Sequence, residues 1–455
     1  MTEKSNASRL SPSSDYFAST PLQVYTERHL EQIPQLKRLS QERLLEMRAV
    51  AKVLPFRVNQ YVIEELIDWS AVPSDPVFQL TFPQPGMLET EDLWRMVDLV
   101  RKGADTATVE AAANEIRQRF NPHPAGQQEL NVPLLRGERL PGLQHKYRET
   151  VLFFPAHGQT CHSYCSFCFR WPQFVGDREL RFANRDGQML ADYLAEHREV
   201  TDLLITGGDP MVMRTRHLLG YLDALLHPRL EHVGSIRIGT KALSFWPQRF
   251  VSDVDADELL RGLERLVKAG KHVAVMAHIN HWRELETAVC REAVRRIRDT
   301  GAVIRAQAPL VRHINDDPEV WARLWRTEAQ MGIVPYYMFV ERDTGARHYF
   351  EVPLARAWTI YRDAIKQVSG LARTARGPSM SSAPGKVEIQ GVSRIGGEEV
   401  FVLRFIQARN PDWVQRPFFA RFDAKATWLD DLRPAFGEEE FFFEPEFRAL
   451  CRGVA

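Results

Sequence analysis

From residue 150 onward, two kinds of apolar pattern alternate along the chain. Short runs rich in β-branched and aromatic residues have the length and composition of buried strands: TVLFFPA (150–156), TDLLIT (201–206), SIRIGT (235–240), HVAVMAH (272–278), AVIRAQA (302–308) and IVPYYMFV (333–340). Each is followed by a longer stretch whose apolar positions recur at helical spacing: DGQMLADYLAEH, RTRHLLGYLDALLH, DELLRGLERLVKAG, ELETAVCREAVRRIRDTG, EVWARLWRTEAQMG and LARAWTIYRDAIKQVSG. Gly270, Gly301 and Gly332 stand where three of these helices should close. Six such βα units predict an α/β fold with a parallel sheet wrapped by helices, and the strands' C-terminal ends should form the active face.

The flanks read differently. Residues 1–20 are Ser-rich, poor in large apolar groups and expected to be disordered. From 21 to 140 the pattern is mostly helical. LSQERLLEMRAVAKVLPF has Ser40 as a candidate N-cap and Pro55 as a stop; EDLWRMVDLVRKG, ended by Gly103, and TVEAAANEIRQRF follow. The Pro-rich strings NPHP and VPLLRGERLPG close this region. After about 385, VEIQGVSRIGGEEVFVLRF predicts two strands around a Gly-Gly turn, and FGEEEFFFEPEF predicts a packed cap or contact surface. There is no internal repeat. The expected division is 1–20 disordered, 21–140 helical, 141–370 the βα region and 371–455 a C-terminal region.

Composition narrows the function classes. The 455 residues include 59 basic and 59 acidic side chains, a balance that leaves no electrostatic footprint for nucleic acid or an anionic membrane. No run approaches the length of a membrane span, and the first twenty residues lack the apolar core of a signal peptide. Five cysteines, three of them clustered, fit a reducing cytoplasm rather than a disulfide-stapled secreted protein.

The chemistry concentrates in CHSYCSFC. Cys161, Cys165 and Cys168 are spaced C-x3-C-x2-C directly after the first predicted strand. Three thiolates can hold three corners of a [4Fe–4S] cube and leave one iron open, where S-adenosylmethionine (SAM) chelates through its amino and carboxylate groups. The alternative is zinc, completed by His162 or His157. Cys290 and Cys451, far away in sequence, read as structural. Arg170, two residues past Cys168, is placed to bind a substrate carboxylate or to act as an outer partner of the cluster. TGGDP ends the second strand: Gly207 and Gly208 admit close backbone approach, and Asp209 can accept from an ammonium group, which suits the methionine end of SAM. His278 and His281 in AHINH, and Gln307 in RAQAP, lie at later strand ends as candidate cofactor contacts or as ordinary strand caps. PYYMF offers aromatic faces at the sixth strand. Lys386, in SMSSAPGK on an expected loop, can form a Schiff base with pyridoxal phosphate or stand as a solvated lysine.

Taken together, KYRETVLFF, CHSYCSFCFRWPQF, LLITGGDP, IRIGTKALSFWPQRF, AHINHWRE, RAQAPLVRHINDD, PYYMF and APGK resemble the lysine 2,3-aminomutase family of radical SAM enzymes, over about residues 140–390. The resemblance implies a partial (β/α)6 barrel with a helical N-terminal extension and a small β-containing C-terminal region. It also implies [4Fe–4S], SAM and pyridoxal phosphate as cofactors. Cys161, Cys165 and Cys168 would hold the cluster, Arg170 the substrate carboxylate and Lys386 the pyridoxal phosphate. Gln307 and Tyr147 would line the cofactor pocket. The implied reaction uses a 5′-deoxyadenosyl radical to move an amino group from C2 to C3 of a free amino acid, lysine or another. An external electron donor supplies the cluster, and a homo-oligomer is expected.

The chain departs from the family pattern at several positions. Thr150 stands where the family has a second arginine, and the Gly-rich run before the lysine is reduced to Pro384-Gly385. Ser382 replaces one substrate-binding acid, and the other falls among Glu341, Arg342 and Asp343. The family's C-terminal zinc cysteines are missing. An uncharged or acidic amino acid is therefore as compatible as lysine. The rival readings are a related radical SAM enzyme without pyridoxal phosphate, an enzyme acting on a protein-bound lysine, and a non-catalytic iron–sulfur or zinc scaffold.

Overall fold

The computed structural model describes residues 22–126, 129–175 and 182–452; the Ser-rich start at 1–20 lies outside them. Eleven strands form one mixed sheet: β1 (Leu143–Tyr147), β2 (Thr150–Phe153), β3 (Asp202–Ile205), β4 (Ser235–Thr240), β5 (His272–His278), β6 (Val303–Leu310), β7 (Val334–Val340), β8 (Arg376–Ser381), β9 (Gly385–Ile395), β10 (Glu398–Ala408) and β11 (Pro417–Arg421). They lie in sequence order, with β2 through β8 parallel and antiparallel strands at both edges. All six strands expected from the apolar runs are present.

Two expectations need correcting. A seventh parallel strand, β8, is formed by RGPSMS, a string whose Gly, Pro and Ser content hides it from propensity. The expected C-terminal strands continue the same sheet as β9 to β11, and Lys386 sits on β9 opposite Ser381 rather than on a loop. The turn between β9 and β10 falls at Gly396 and Gly397, as the Gly-Gly pair predicted.

Helices cover the outer face: α1 (Gly187–Glu196), α2 (Thr215–Ala224), α3 (Ala256–Lys268), α4 (Ala288–Asp299), α5 (Pro318–Met331) and α6 (Leu354–Lys366). Strict alternation along β4 and β6 shows why. Ile236 and Ile238, then Ile304, Ala306, Ala308 and Leu310, are buried under these helices, while Arg237, Arg305 and Gln307 face the other way and stay partly accessible. The inner face is therefore lined by polar groups. α4 starts at Ala288 and not at the predicted Glu284, because the Glu284 carboxylate turns back to accept from the backbone N–H groups of Asn280 and His281 at 2.8 and 2.9 Å.

The sheet curls far enough to bring β1 against β10 without pairing them. Lys146 of β1 donates to the carbonyl of Ser382, and Arg409, just past β10, donates to the Leu130 carbonyl at 3.3 Å and to Asn131 Oδ1. The N-terminal region packs as a second apolar core around helices Gln41–Val53, Thr90–Arg101 and Thr106–Arg119, with Ser40 capping the first as expected. Phe441 and Phe443 of the acidic tail are buried on Phe405 and Phe418, so this string is a packed cap.

Candidate active site

The cysteine loop leaves β2 and is gripped from two sides. On the sheet side the grip is GGDP. The backbone N–H of Asp209 donates to the carbonyls of Thr160 and Gly158, at 2.7 and 3.1 Å. A Cβ on Gly208 would lie 2.3 Å from the Thr160 oxygen, and one on Gly207 would lie 2.2 Å from Gln159 Nε2. Thr160's backbone thus requires glycine at 208, and a φ of +147° favours it at 207, apart from any ligand. The Asp209 carboxylate is wholly engaged: it accepts from Thr240 Oγ1 (2.7 Å), the N–H groups of Lys241 and Met211 (2.9 Å each) and His162 Nε2 (3.1 Å). Burial pushes this carboxyl up, but the bonds from His162 and Thr240 outweigh it and leave it below its ordinary value. The expected ammonium-accepting role for Asp209 gives way to one as the hub that ties the cysteine loop to β4.

From the outer side the N-terminal region holds the same loop. Arg57 Nη1 donates to Thr160 Oγ1 at 2.6 Å, and its carbonyl accepts from the N–H of Tyr164 at 2.8 Å. The Asn59 N–H donates to Ser163 Oγ at 3.0 Å; Ser166 donates its N–H to Leu80 and its hydroxyl to Gln79, at 2.9 and 2.7 Å. No sequence motif announced Arg57, Asn59 or the Gln79–Leu80 carbonyls.

Inside this double grip the thiols of Cys161, Cys165 and Cys168 are free and partly accessible. Burial pushes Cys165 up to about 12 and Cys168 up to about 11, and Cys161 is raised by burial, by Asp209 and by the other two sulfurs. Three thiolates that repel one another in a desolvated pocket require a cation to become ligands. Among the described residues no three His, Cys, Asp or Glu side chains converge closely enough for a single metal ion. His162 is held by Asp209, and the His157 ring lies 4.6 Å from that of His217. This arrangement does not complete a zinc site. A larger inorganic unit, bridged by its own sulfides, fits three thiols of this spacing on one loop.

The rest of the inner wall is cationic and aromatic. The guanidinium of Arg170 stacks on Phe154 at 4.3 Å and on Phe169 at 5.0 Å, and burial pushes it down to about 10. Lys386 Nζ lies 4.2 Å from the centroid of Tyr337 and 5.3 Å from that of Phe339, two rings stacked 4.9 Å apart. Burial, then the charges of Arg237 and Arg376, push its amine down to about 7. Tyr147 is raised by burial against the pull of Arg409 and Arg342. Lys146, 5.3 Å from the Tyr147 ring, is depressed by burial and by Arg409, Arg342 and Lys386. These mutual influences trace one continuous lining from the thiols through Arg170 and Arg342 to Lys146 and Lys386. Lys146, Arg342 and Arg409 were not among the expected site residues; single cations far apart in sequence carry no signal of convergence.

His278, Gln307 and Tyr337 stand level on β5, β6 and β7, where Gln307 pairs with both neighbours. His278 meets the cysteine loop edge-on, its ring 5.9 Å from Phe167, and is kept neutral by burial and by Lys241. His281 does not join them. It is buried, accepts from the Arg283 N–H at 3.3 Å, and is pushed down to about 3 by burial and by Arg283 and Arg323; it caps a turn. At the departures, Thr150 donates to Asp202, which pairs with Arg237, while the Ser382 hydroxyl donates to the Gly385 carbonyl at 2.9 Å. Glu341 is buried, and that burial pushes its carboxyl well up against the pull of Arg342.

No family model matches the chain. A putative L-lysine 2,3-aminomutase of Aquifex aeolicus is 30% identical over 396 residues, 87% of this chain and 92% of that protein. The L-lysine 2,3-aminomutase of Escherichia coli is 28% identical over 51% of this chain and 63% of its own length. The glutamate 2,3-aminomutase of Clostridioides difficile is 29% identical over 42% of each. Among solved structures, Streptococcus suis SuiB bound to S-adenosylmethionine superposes with a TM-score of 0.35 at 13% identity, covering 61% of this chain and 58% of that one. With 30% identity sustained over 87% of its length, the chain belongs to the lysine 2,3-aminomutase family of radical SAM enzymes.

Proposed function

We propose that this chain is an amino-acid 2,3-aminomutase that works on a free small-molecule substrate and interconverts an α- and a β-amino acid. The observation that carries the reading is the single cationic lining that links the three thiols to the depressed amine of Lys386. In this reading β2 to β7, extended by β8, are the family's partial barrel. Residues 21–140 buttress the cysteine loop, and 371–455 carry the lysine strand and its cap.

The thiolates of Cys161, Cys165 and Cys168 would hold a [4Fe–4S] cluster, which with SAM supplies a 5′-deoxyadenosyl radical once an external donor has reduced it. Gly207 and Gly208 would present backbone to SAM, and His278 and Gln307 would complete its wall. Pyridoxal phosphate fits the opposite end. An amine that is half-neutral near pH 7 is a competent nucleophile for its aldehyde, Tyr337 and Phe339 offer ring faces, and Arg409 and a Lys146 amine that a bound anion would protonate would face its phosphate. When attached it supplies an electron-delocalising ring. Arg170 would bind the substrate carboxylate bidentately, and its aromatic bed fixes the plane of the guanidinium. Tyr147, with its phenol kept protonated, would donate a hydrogen bond near the ring.

A cytoplasmic setting that keeps the thiols reduced and a homo-oligomeric assembly belong to the same proposal. Among the described residues no helix is long and apolar enough to cross a membrane.

The test is anaerobic reconstitution with iron, sulfide and pyridoxal phosphate, then incubation with SAM, dithionite and a panel of amino acids. The expected outcome is a β-amino product together with 5′-deoxyadenosine. Lys386→Ala should abolish the product and the visible absorbance of the attached cofactor while SAM cleavage persists. A product that survives Lys386→Ala, or an unaltered spectrum, removes pyridoxal phosphate from the reading.

A further inference from the structure

Two guanidinium groups share one phenyl ring, that of Phe169. The central carbons of Arg170 and Arg342 lie 5.0 and 5.2 Å from the centroid of Phe169. By the triangle inequality they are within about 10 Å of each other. Arg170 rests also on Phe154, and Arg342 faces Trp428 at 5.9 Å. Neither has a strong anionic partner among the described residues. Arg342 meets the Asp343 carboxylate only at 3.9 Å, its Nε is buried without a hydrogen bond, and its Nη2 reaches the Pro124 carbonyl at 3.5 Å. Like charges held side by side in a desolvated wall repel. Such a pair is stable when anions come between or beside its members.

The acids that a cationic side chain would need are meanwhile absent or set against Arg342. Ser382 is turned onto the Gly385 carbonyl, and Glu341 is buried next to Arg342 in the chain. Asp343 Oδ2 accepts from Asn121 Nδ2 at 3.2 Å, and its Oδ1, buried without a hydrogen bond, faces Arg342 Nε at 3.9 Å. Resting on the aminomutase reading above, we infer that the substrate is an α-amino acid with an acidic side chain: Arg170 takes one carboxylate, Arg342 takes the other, and Phe169 holds the two guanidinia apart. The same pair that would receive a dicarboxylate repels an ε-ammonium.

The experiment is anaerobic calorimetric titration of the reconstituted enzyme with L-glutamate, L-aspartate, L-norvaline and L-lysine, on wild type, Arg342→Gln and Arg342→Lys. L-Norvaline keeps the α-amino and α-carboxylate groups but has an apolar side chain. One of the two dicarboxylates should bind at least about 30-fold more tightly than L-lysine. Arg342→Gln should weaken that acid by about 10- to 100-fold while leaving L-norvaline within about twofold, and Arg342→Lys should restore part of the loss. L-Lysine binding more tightly than both acids overturns the inference, as does an Arg342→Gln effect equal for L-norvaline and the acid. The two proposals fail separately. Formation of β-lysine with refusal of both acids sinks this one and keeps the aminomutase reading; Arg342-dependent acid binding with no β-amino product does the reverse.

Discussion

The two ends of the inner wall are built on opposite principles. At the cysteine end the protein supplies the partners for its polar anchors: Asp209 accepts four hydrogen bonds, and Thr160, Ser163 and Ser166 are tied to Arg57, Asn59, Gln79 and Leu80. At the lysine end the charges go unanswered. Arg170, Lys146 and Lys386 have no ion pair among the described residues, and Arg342 has a weak one. The first end fixes a geometry before any ligand arrives; the second stores electrostatic demand for the anions of its ligands. Positional accuracy matters most where a metal unit must seat on three sulfurs, and charge complement matters most where substrate is chosen.

The largest effect should follow from breaking the first end at Gly208. A methyl group there would lie 2.3 Å from the Thr160 carbonyl and 2.5 Å from its nitrogen, both backbone atoms that cannot swing aside. Gly208→Ala must therefore displace the loop that carries Cys161. Iron and sulfide bound per chain, and SAM cleavage with dithionite, should fall by at least about tenfold, because misplaced ligands forfeit metal affinity. Pyridoxal phosphate attachment at Lys386 should remain. If the iron content of Gly208→Ala matches wild type, the clamp is not what positions the thiols.

Much of the first end was legible in the chain, and little of the second. The strand runs and CHSYCSFC are local signals: apolar runs demand burial, and three thiols on one loop are close whatever the rest does. Gly207 and Gly208 were legible as a close approach, though not what approaches. Lys386 was read as a loop residue because Pro384-Gly385 signals a turn; it is the pairing of β9 with β8 that places it on a strand. Arg342, Lys146 and Arg409 come from β7's exit, β1 and the end of β10, and only curling of the whole sheet brings them near one another. Long-range convergence leaves no mark on any window of sequence. Arg57 and Asn59 were missed for the same reason.

A pH series sharpens the second end. Burial and the neighbouring Arg237 and Arg376 bring the Lys386 amine down to about 7, so the charged form is lost as pH rises through that value. The nucleophilic fraction should climb from about a tenth at pH 6 to about nine tenths at pH 8 and then level off. The initial rate of pyridoxal phosphate attachment, followed by its visible absorbance, should rise severalfold across this interval and flatten above pH 8. An ordinary lysine would instead show about a tenfold rise per pH unit with no plateau up to pH 9. Observing that uninterrupted rise would mean that Lys386 is solvated, and that the cationic wall does not act on it.

The smallest effect belongs to Arg57, and it separates two kinds of support for the same loop. Arg57 grips with two groups: its guanidinium donates to Thr160 Oγ1 at 2.6 Å, and its backbone carbonyl accepts from Tyr164 at 2.8 Å. Arg57→Ala removes the first and keeps the second, while the bonds from Asn59, Gln79 and Leu80 persist. One charge-assisted hydrogen bond at a partly accessible site contributes about 1–2 kcal/mol, set against several that remain. Cluster content after reconstitution should then stay near wild type, while the rate of iron loss to a chelator should rise by about two- to tenfold. A loss as complete as that of Gly208→Ala would place the decisive grip on the N-terminal side. No change in release rate would mean that the Arg57 guanidinium adds nothing to the backbone bonds and the Asp209 hub that remain.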